Sequence, residues 1–349
     1  MADSRTDFNA AQAAIILLND YRQRRQQFRV YDDYDQTMKQ MRESASEKTE
    51  ALEEPLKSIA SRLFSIADQG FFLFQVCEWK IDYIAEALIH SIEAKNPIGL
   101  ANNTRALIEH MAALVAIVKE LQKLLAKLRG QGQEMSIRGA LEKTETFIYR
   151  AYYGKSPRVA NELREEALHV NDLIKALRDE VPDIEDAYDF LCEYVHPNHG
   201  SNVLVSTGRL ANGRLNPPEE YHRETLDRLR RYCSLSMLFL KERGTEYGST
   251  FIKLQNLFDL CSAKGATVNN VFAIKKPVPD GDGKSKETAY CFRKARTAAE
   301  AIALSHEFIE NEGYHVKRKE IGGLGDGVIF DVYDTDKGKI WFKVPMITM

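Results

Sequence analysis

Every residue from Ala106 to Ile117 is apolar except Glu109 and His110. A stretch of that length and composition is predicted to be a helix apolar on more than one side, and such a helix is stable only when other elements surround it. The chain must therefore build a multi-layered helical core around this segment. Asn96-Pro97 supplies a start for the helix, with an asparagine to cap and a proline fixed for the first turn. The pattern runs to Leu128 and stops at Gly130. A second central helix is predicted from Phe71 to Ala94, where Phe74, Cys77, Ile81, Ile84 and Leu88 step along one face.

The rest of the first 265 residues supplies the surrounding layers. A helix is expected over about 8–28, and a long charged one over 34–69 restarts at Pro55. The charged helix carries a seam of Leu52, Leu56, Ile59, Leu63 and Ile66, and Gly70 is expected to end or kink it. Further helices are expected at about 135–153, 158–179, 183–195, 219–243 and 249–263, with a small hairpin or loop near 203–213. After Gly265 the pattern changes. Strand-like runs at 271–274, 288–293, 328–333 and 339–344 flank a helix from Thr297 to Glu312, and Gly322-Gly323-Leu324-Gly325-Asp326-Gly327 is expected to be a turn between strands. The predicted fold is mainly α: a helical bundle over 1–265 followed by a small α+β domain over 266–349.

Length and charge permit this and narrow the partners. A chain of 349 residues has room for two domains. Its net charge of −3 gives no global attraction to nucleic acid or anionic membrane, although a local basic groove can sit on a neutral protein. Cys77, Cys192, Cys233, Cys261 and Cys291 are scattered, as expected for reduced thiols in the cytoplasm. The apolar run from Ala13 to Leu18 is too short, and too near Asp20 and Arg22, to be a signal or a membrane span. The seam on the long N-terminal helix calls for a partner, either a second copy in a homodimer or its own bundle.

Chemistry concentrates in Asp189-Phe-Leu-Cys-Glu193-Tyr-Val-His196-Pro-Asn198-His199-Gly-Ser-Asn202. Tyr188, Leu191, Cys192 and Val195 form the apolar face of a helix that must end at His196, because the residue before a proline avoids the helical region. His196, Asn198 and His199 are then either a cap pinning the turn or an acid/base set. A second constellation is Arg105 and Glu109, one turn apart on the apolar helix. They form either a structural ion pair or, with Arg105 facing the His196 turn, a phosphate clamp. Glu166/His169 and Glu193/His196 repeat a metal-type spacing, but Glu219/His222 and Glu312/His315 share it, so neither metal nor cofactor is called for. Arg223, Arg228, Arg230, Arg231 and Arg243 form a basic cluster, and Tyr149, Arg150, Tyr152, Tyr153 and Lys155 mix aromatic and basic groups suited to base stacking or an interface.

The pairing of Arg105-Ala-Leu-Ile-Glu109 with Glu193-Tyr-Val-His196-Pro197 resembles a family of bacterial helical proteins that is itself similar to the HEPN superfamily, over roughly residues 60–240. HEPN proteins are helical bundles frequent in defence and toxin–antitoxin systems. The resemblance implies a metal-independent phosphodiesterase acting on RNA or a nucleotide, with His196 or His199 as acid/base and Arg105 on the phosphate. HEPN ribonucleases carry Arg and His on one helix; here Asp189, Phe190 and Leu191 precede His196 at that spacing, and Cys192, Glu193 and Tyr194 precede His199, so Arg105 must act from another helix. The alternative is a non-catalytic scaffold that dimerises through its helices and senses a ligand or partner protein through residues 266–349.

Overall fold

The computed structural model describes residues 4–27, 34–52, 56–129, 137–154, 166–197, 199–215, 222–262, 267–268, 271–277, 288–292, 298–325, 328–336 and 338–347. It is mainly helical, with a small antiparallel sheet near the C-terminus. The helices are α1 (Ser4–Gln27), α2 (Tyr34–Glu50), α3 (Leu56–Glu93), α4 (Pro97–Arg129), α5 (Ile137–Tyr153), α6 (Val170–Arg178), α7 (Ile184–Val195), α8 (His199–Val203), α9 (Arg223–Ser262) and α10 (Ala298–Asn311). The strands are β1 (Thr267–Val268), β2 (Val271–Pro277), β3 (Thr288–Phe292), β4 (Val316–Gly325), β5 (Val328–Thr335) and β6 (Gly338–Ile347). They lie in the order β3-β2-β6-β5-β4, with β1 pairing the end of β6 and every pairing antiparallel.

The chain forms two compact units. One comprises 1–33, 72–119 and 149–248; the other comprises 34–71, 120–148 and 249–349. Helices α3, α4, α5 and α9 contribute segments to both.

The first unit is built around α4, as its composition demands. Leu107, Ile108, Met111, Ala112 and Val115 are fully buried, together with Ile81, Ala85 and Leu88 of α3. Asn96 caps α4, its Oδ1 accepting from the Gly99 amide at 2.9 Å. Helix α1 buries Ala14, Leu18 and Tyr21, so its apolar face is covered within the chain. Polar groups fix its register on α3. The Tyr21 hydroxyl donates to the Glu78 carbonyl at 3.2 Å, and Arg22 pairs with Asp82 and Glu86 at 3.4 and 3.0 Å. Arg25 donates to Glu78 and Gln75 at 2.8 and 3.0 Å beneath the face of Trp79. Burial pushes the Glu78 carboxyl up, and the Arg25 cation pulls it back.

In the second unit, Leu63 and Ile66 of the expected seam are fully buried, with Leu121, Leu128, Leu141 and Leu254. Its C-terminal part sets α10 against the sheet, where Phe308, Phe342 and Tyr333 meet edge to face.

Several local expectations are corrected. Gly70 does not end a helix, because α3 runs through it from Leu56 to Glu93. A Cβ there would meet Leu121, Phe251 and Ile148 at 3.4–3.7 Å, ordinary van der Waals distances, so the packing around this point of the helix does not itself demand a glycine. Residues 219–243 and 249–263 are not separate helices, since α9 continues from Arg223 to Ser262 through Gly244 and Gly248. Buried Leu240, Tyr247, Phe251 and Leu254 on either side outweigh the roughly 1 kcal/mol that each glycine costs. The helix expected over 158–179 begins at Val170 in the described residues, with His169 as its extended N-cap accepting from the Asn171 amide. Gly322, Gly323 and Gly325 are not a turn: they lie within β4, where Gly323 and Gly325 pair with Phe330 and Val328 of β5 and a register shift falls between Ile321 and Gly323. The excursion expected at 203–213 is present as a loop closed by an antiparallel bridge between Ser206 and Leu215 and a backbone hydrogen bond from the Thr207 amide to the Arg214 carbonyl.

Candidate functional site

Helix α4 presents Arg105 and Glu109 on successive turns, and α7 lies alongside with Tyr188 and Cys192. Arg105 Nε donates to Glu109 Oε1 at 2.9 Å, and Arg105 Nη2 donates to the Tyr188 hydroxyl at 3.1 Å. That hydroxyl in turn donates to Glu109 Oε1 at 2.8 Å, closing a three-membered ring of hydrogen bonds. The guanidinium also stands 5.2 Å over the Tyr188 ring. Its remaining nitrogen, Nη1, reaches His196 Nε2 at 3.5 Å, the outer limit of a hydrogen bond. A guanidinium only donates, so a hydrogen bond here requires Nε2 to accept.

Electrostatics follow from this packing. Burial disfavours the Arg105 cation, but the Tyr188 hydroxyl and Glu109 carboxylate outweigh it and raise its pKa. Burial, followed by the adjoining Glu109, raises that of Tyr188. The Cys192 thiol is likewise raised by burial, which keeps it protonated and unreactive. The side chains of Arg105 and Glu109 remain 19% and 29% exposed, and His196 is exposed, so this cluster opens to solvent along its His196 edge.

The His196 turn owes its shape to Pro197. His196 is the C-cap of α7 in an extended conformation, φ −80° and ψ 151°, as a pre-proline residue prefers. The chain then restarts as α8 at His199, a helix the sequence reading does not anticipate. Buried Gly200 allows the restart: a Cβ there would lie 2.2 Å from the Glu193 carbonyl oxygen of α7. His199 is exposed at the start of α8, and among the described contacts none joins it to Arg105 or Glu109. Asn198 lies outside the described residues. The site therefore unites Arg105, Glu109 and His196, and adds Tyr188, which the sequence shows only as an apolar-face residue.

The other candidates do not assemble comparably. Among the described residues no group of three His, Cys, Asp or Glu side chains is placed to hold a metal ion. The arginines of α9 diverge. Arg230 is buried and paired with Asp227 at 3.1 Å, and Arg243 pairs with Glu246 and Glu180. Arg228 lies 4.1 Å over the Phe190 ring and donates to the Tyr232 hydroxyl. Tyr149, Tyr152 and Tyr153 are exposed and in mutual ring contact, with Phe72 beside Tyr152. Lys155 lies outside the described residues. No helix among the described residues is long and apolar enough to cross a membrane. Comparison with protein-family models, with curated proteins and with solved structures finds no match to this chain.

Proposed function

We propose that the chain is a HEPN-like, metal-independent phosphodiesterase acting on RNA or a nucleotide in a bacterial defence or stress system. The observation that carries this reading is Arg105 Nη1 facing His196 Nε2 at 3.5 Å across two helices, on the solvent-open edge of the cluster. A phosphate entering there meets a fixed cation beside an imidazole lone pair. His196 takes the proton of a ribose 2′-hydroxyl as its oxygen attacks phosphorus, and Arg105 stabilises the charge gathering on the phosphoryl oxygens. The 5′-oxygen leaves with a proton from water, giving a 2′,3′-cyclic phosphate. Glu109 and Tyr188 touch no substrate in this scheme; they hold the guanidinium in place.

The test is cleavage of single-stranded RNA by the purified chain in the presence of a chelator. His196→Ala and Arg105→Gln are each expected to lower the rate by about 100-fold or more. No cleavage by the native chain, or equal cleavage by the variants, overturns the proposal. A second reading, a non-catalytic interaction scaffold, is favoured by one observation: Arg105 is already paired with the Glu109 carboxylate and bonded to the Tyr188 hydroxyl. It predicts that Arg105→Gln lowers stability with no RNA chemistry to lose.

A further inference from the structure

A cleft of about 340 Å³ opens in the first unit, where the end of α3, the start of α4, the residues after α8 and the start of α9 meet. Its apolar wall includes Ile92, Leu100 and Leu226, each at most 8% exposed. Its polar wall includes Lys95, His222 and Arg230, and among the described residues no aspartate or glutamate lines it. Arg230 is held by Asp227 at 3.1 Å. Lys95 sits at the turn between α3 and α4 with a φ of 51°.

His222 is the feature that needs an explanation. It is 6% exposed, and its Nε2 is buried with no hydrogen-bond partner among the described residues. Leaving a buried polar atom unmade costs about 1–3 kcal/mol, so native chains rarely keep one without a use. Burial lowers its pKa, so the ring is neutral near pH 7 and carries one N–H. A small cleft, mostly apolar with a few convergent polar groups, is the usual form of a ligand site.

The geometry points to a binding site for a small carboxylate with an apolar body, its tail against Ile92, Leu100 and Leu226 and its carboxylate accepting from His222 Nε2 near Lys95. An apolar tail suits the wall, and an anionic head suits a lining whose described residues include Lys95 and Arg230 and no carboxylate. The site shares no residue with the Arg105–His196 cluster and does not depend on its chemistry.

Octanoate is the probe, with octylammonium as the charge-reversed control, titrated calorimetrically into the full chain. Saturable one-to-one binding of octanoate is expected, with none of octylammonium. His222→Phe removes the unpartnered nitrogen while keeping a ring, and is expected to weaken octanoate by about tenfold without loss of thermal stability. Val205→Trp fills the cleft from a position 39% exposed, where a larger side chain is tolerated, and is expected to abolish binding. Failure of octanoate to bind the native chain, equal binding of octylammonium, or unchanged affinity in a folded Val205→Trp variant overturns the assignment.

Discussion

Replacing Tyr188 by phenylalanine removes one oxygen from the centre of the site and leaves the ring, with its stacking against Arg105, in place. The lost hydroxyl donates to Glu109 at 2.8 Å and accepts from Arg105 at 3.1 Å. A hydrogen bond to a charged partner contributes about 1.5–3 kcal/mol, so the two together set an upper bound of roughly 6 kcal/mol. Two facts bring that down. The direct Arg105–Glu109 bond at 2.9 Å survives, and the partners' side chains are 19% and 29% exposed, so water takes over part of the lost bonding. The expected destabilisation is about 2 kcal/mol, read from the denaturant midpoint at constant slope. Glu109→Gln on the same background closes a double-mutant cycle, for which a coupling of about 1 kcal/mol is expected between groups in direct contact. A loss below about 0.5 kcal/mol, or strict additivity of the two substitutions, refutes the claim that the hydroxyl joins the two charges into one unit.

Three further outcomes follow from the packing. Gly200→Ala sets a Cβ against the Glu193 carbonyl at 2.2 Å and must push α8 away from α7; a loss of about 1–3 kcal/mol is expected in chemical denaturation, and wild-type stability argues against that contact. Arg25→Ala strands the Glu78 carboxylate in its burial, so about 2–4 kcal/mol should be lost, whereas Arg25→Ala combined with Glu78→Gln should recover part of it in the same assay. His110 and His222 both titrate below the ordinary 6.5 when folded, chiefly through burial, so the unfolded chain takes up their protons first as pH falls. Their contribution is fully present above pH 6.5 and is lost as pH drops from 6.5 toward the folded values, at about 1.4 kcal/mol per unit of depression. Thermal melts at stepped pH should show that slope, and it should flatten in a His110→Gln/His222→Gln double variant.

What the sequence discloses depends on whether a residue's fate is settled by its neighbours in the chain or by distant ones. The burial of α4 and its start at Asn96 are local: a nearly unbroken apolar run and an Asn-Pro pair suffice to predict them. The pairing of Arg105 with Glu109 is local too, being one helical turn. The end of α7 at His196 is forced by the next residue. Where non-local packing decides, pattern reading fails in an intelligible direction. Gly70, Gly244 and Gly248 look like breaks because glycine lowers helix propensity, yet α3 and α9 pass through them because flanking residues are buried on both sides. Gly322, Gly323 and Gly325 look like a turn, yet all three lie within β4, where the ladder to β5 pairs Gly323 and Gly325.

The same distinction separates the two candidate sites. Tyr188 sits on the face with Leu191 and Cys192 and reads as one more apolar residue; only the approach of α4 gives its hydroxyl two charged partners. His222 is less legible still, because residues 91–100 and 204–205 create the cleft around it. A histidine beside charged Arg223 and Glu224 suggests a solvated helix start, not a ring 6% exposed with an unpartnered nitrogen. Chain-local chemistry thus identifies the components of the Arg105–His196 cluster before any fold is known. The carboxylate cleft exists only as a product of tertiary packing, so substitutions at Ile92, Leu100 or Leu226 should disturb it while leaving the Arg105–Glu109–Tyr188 ring intact.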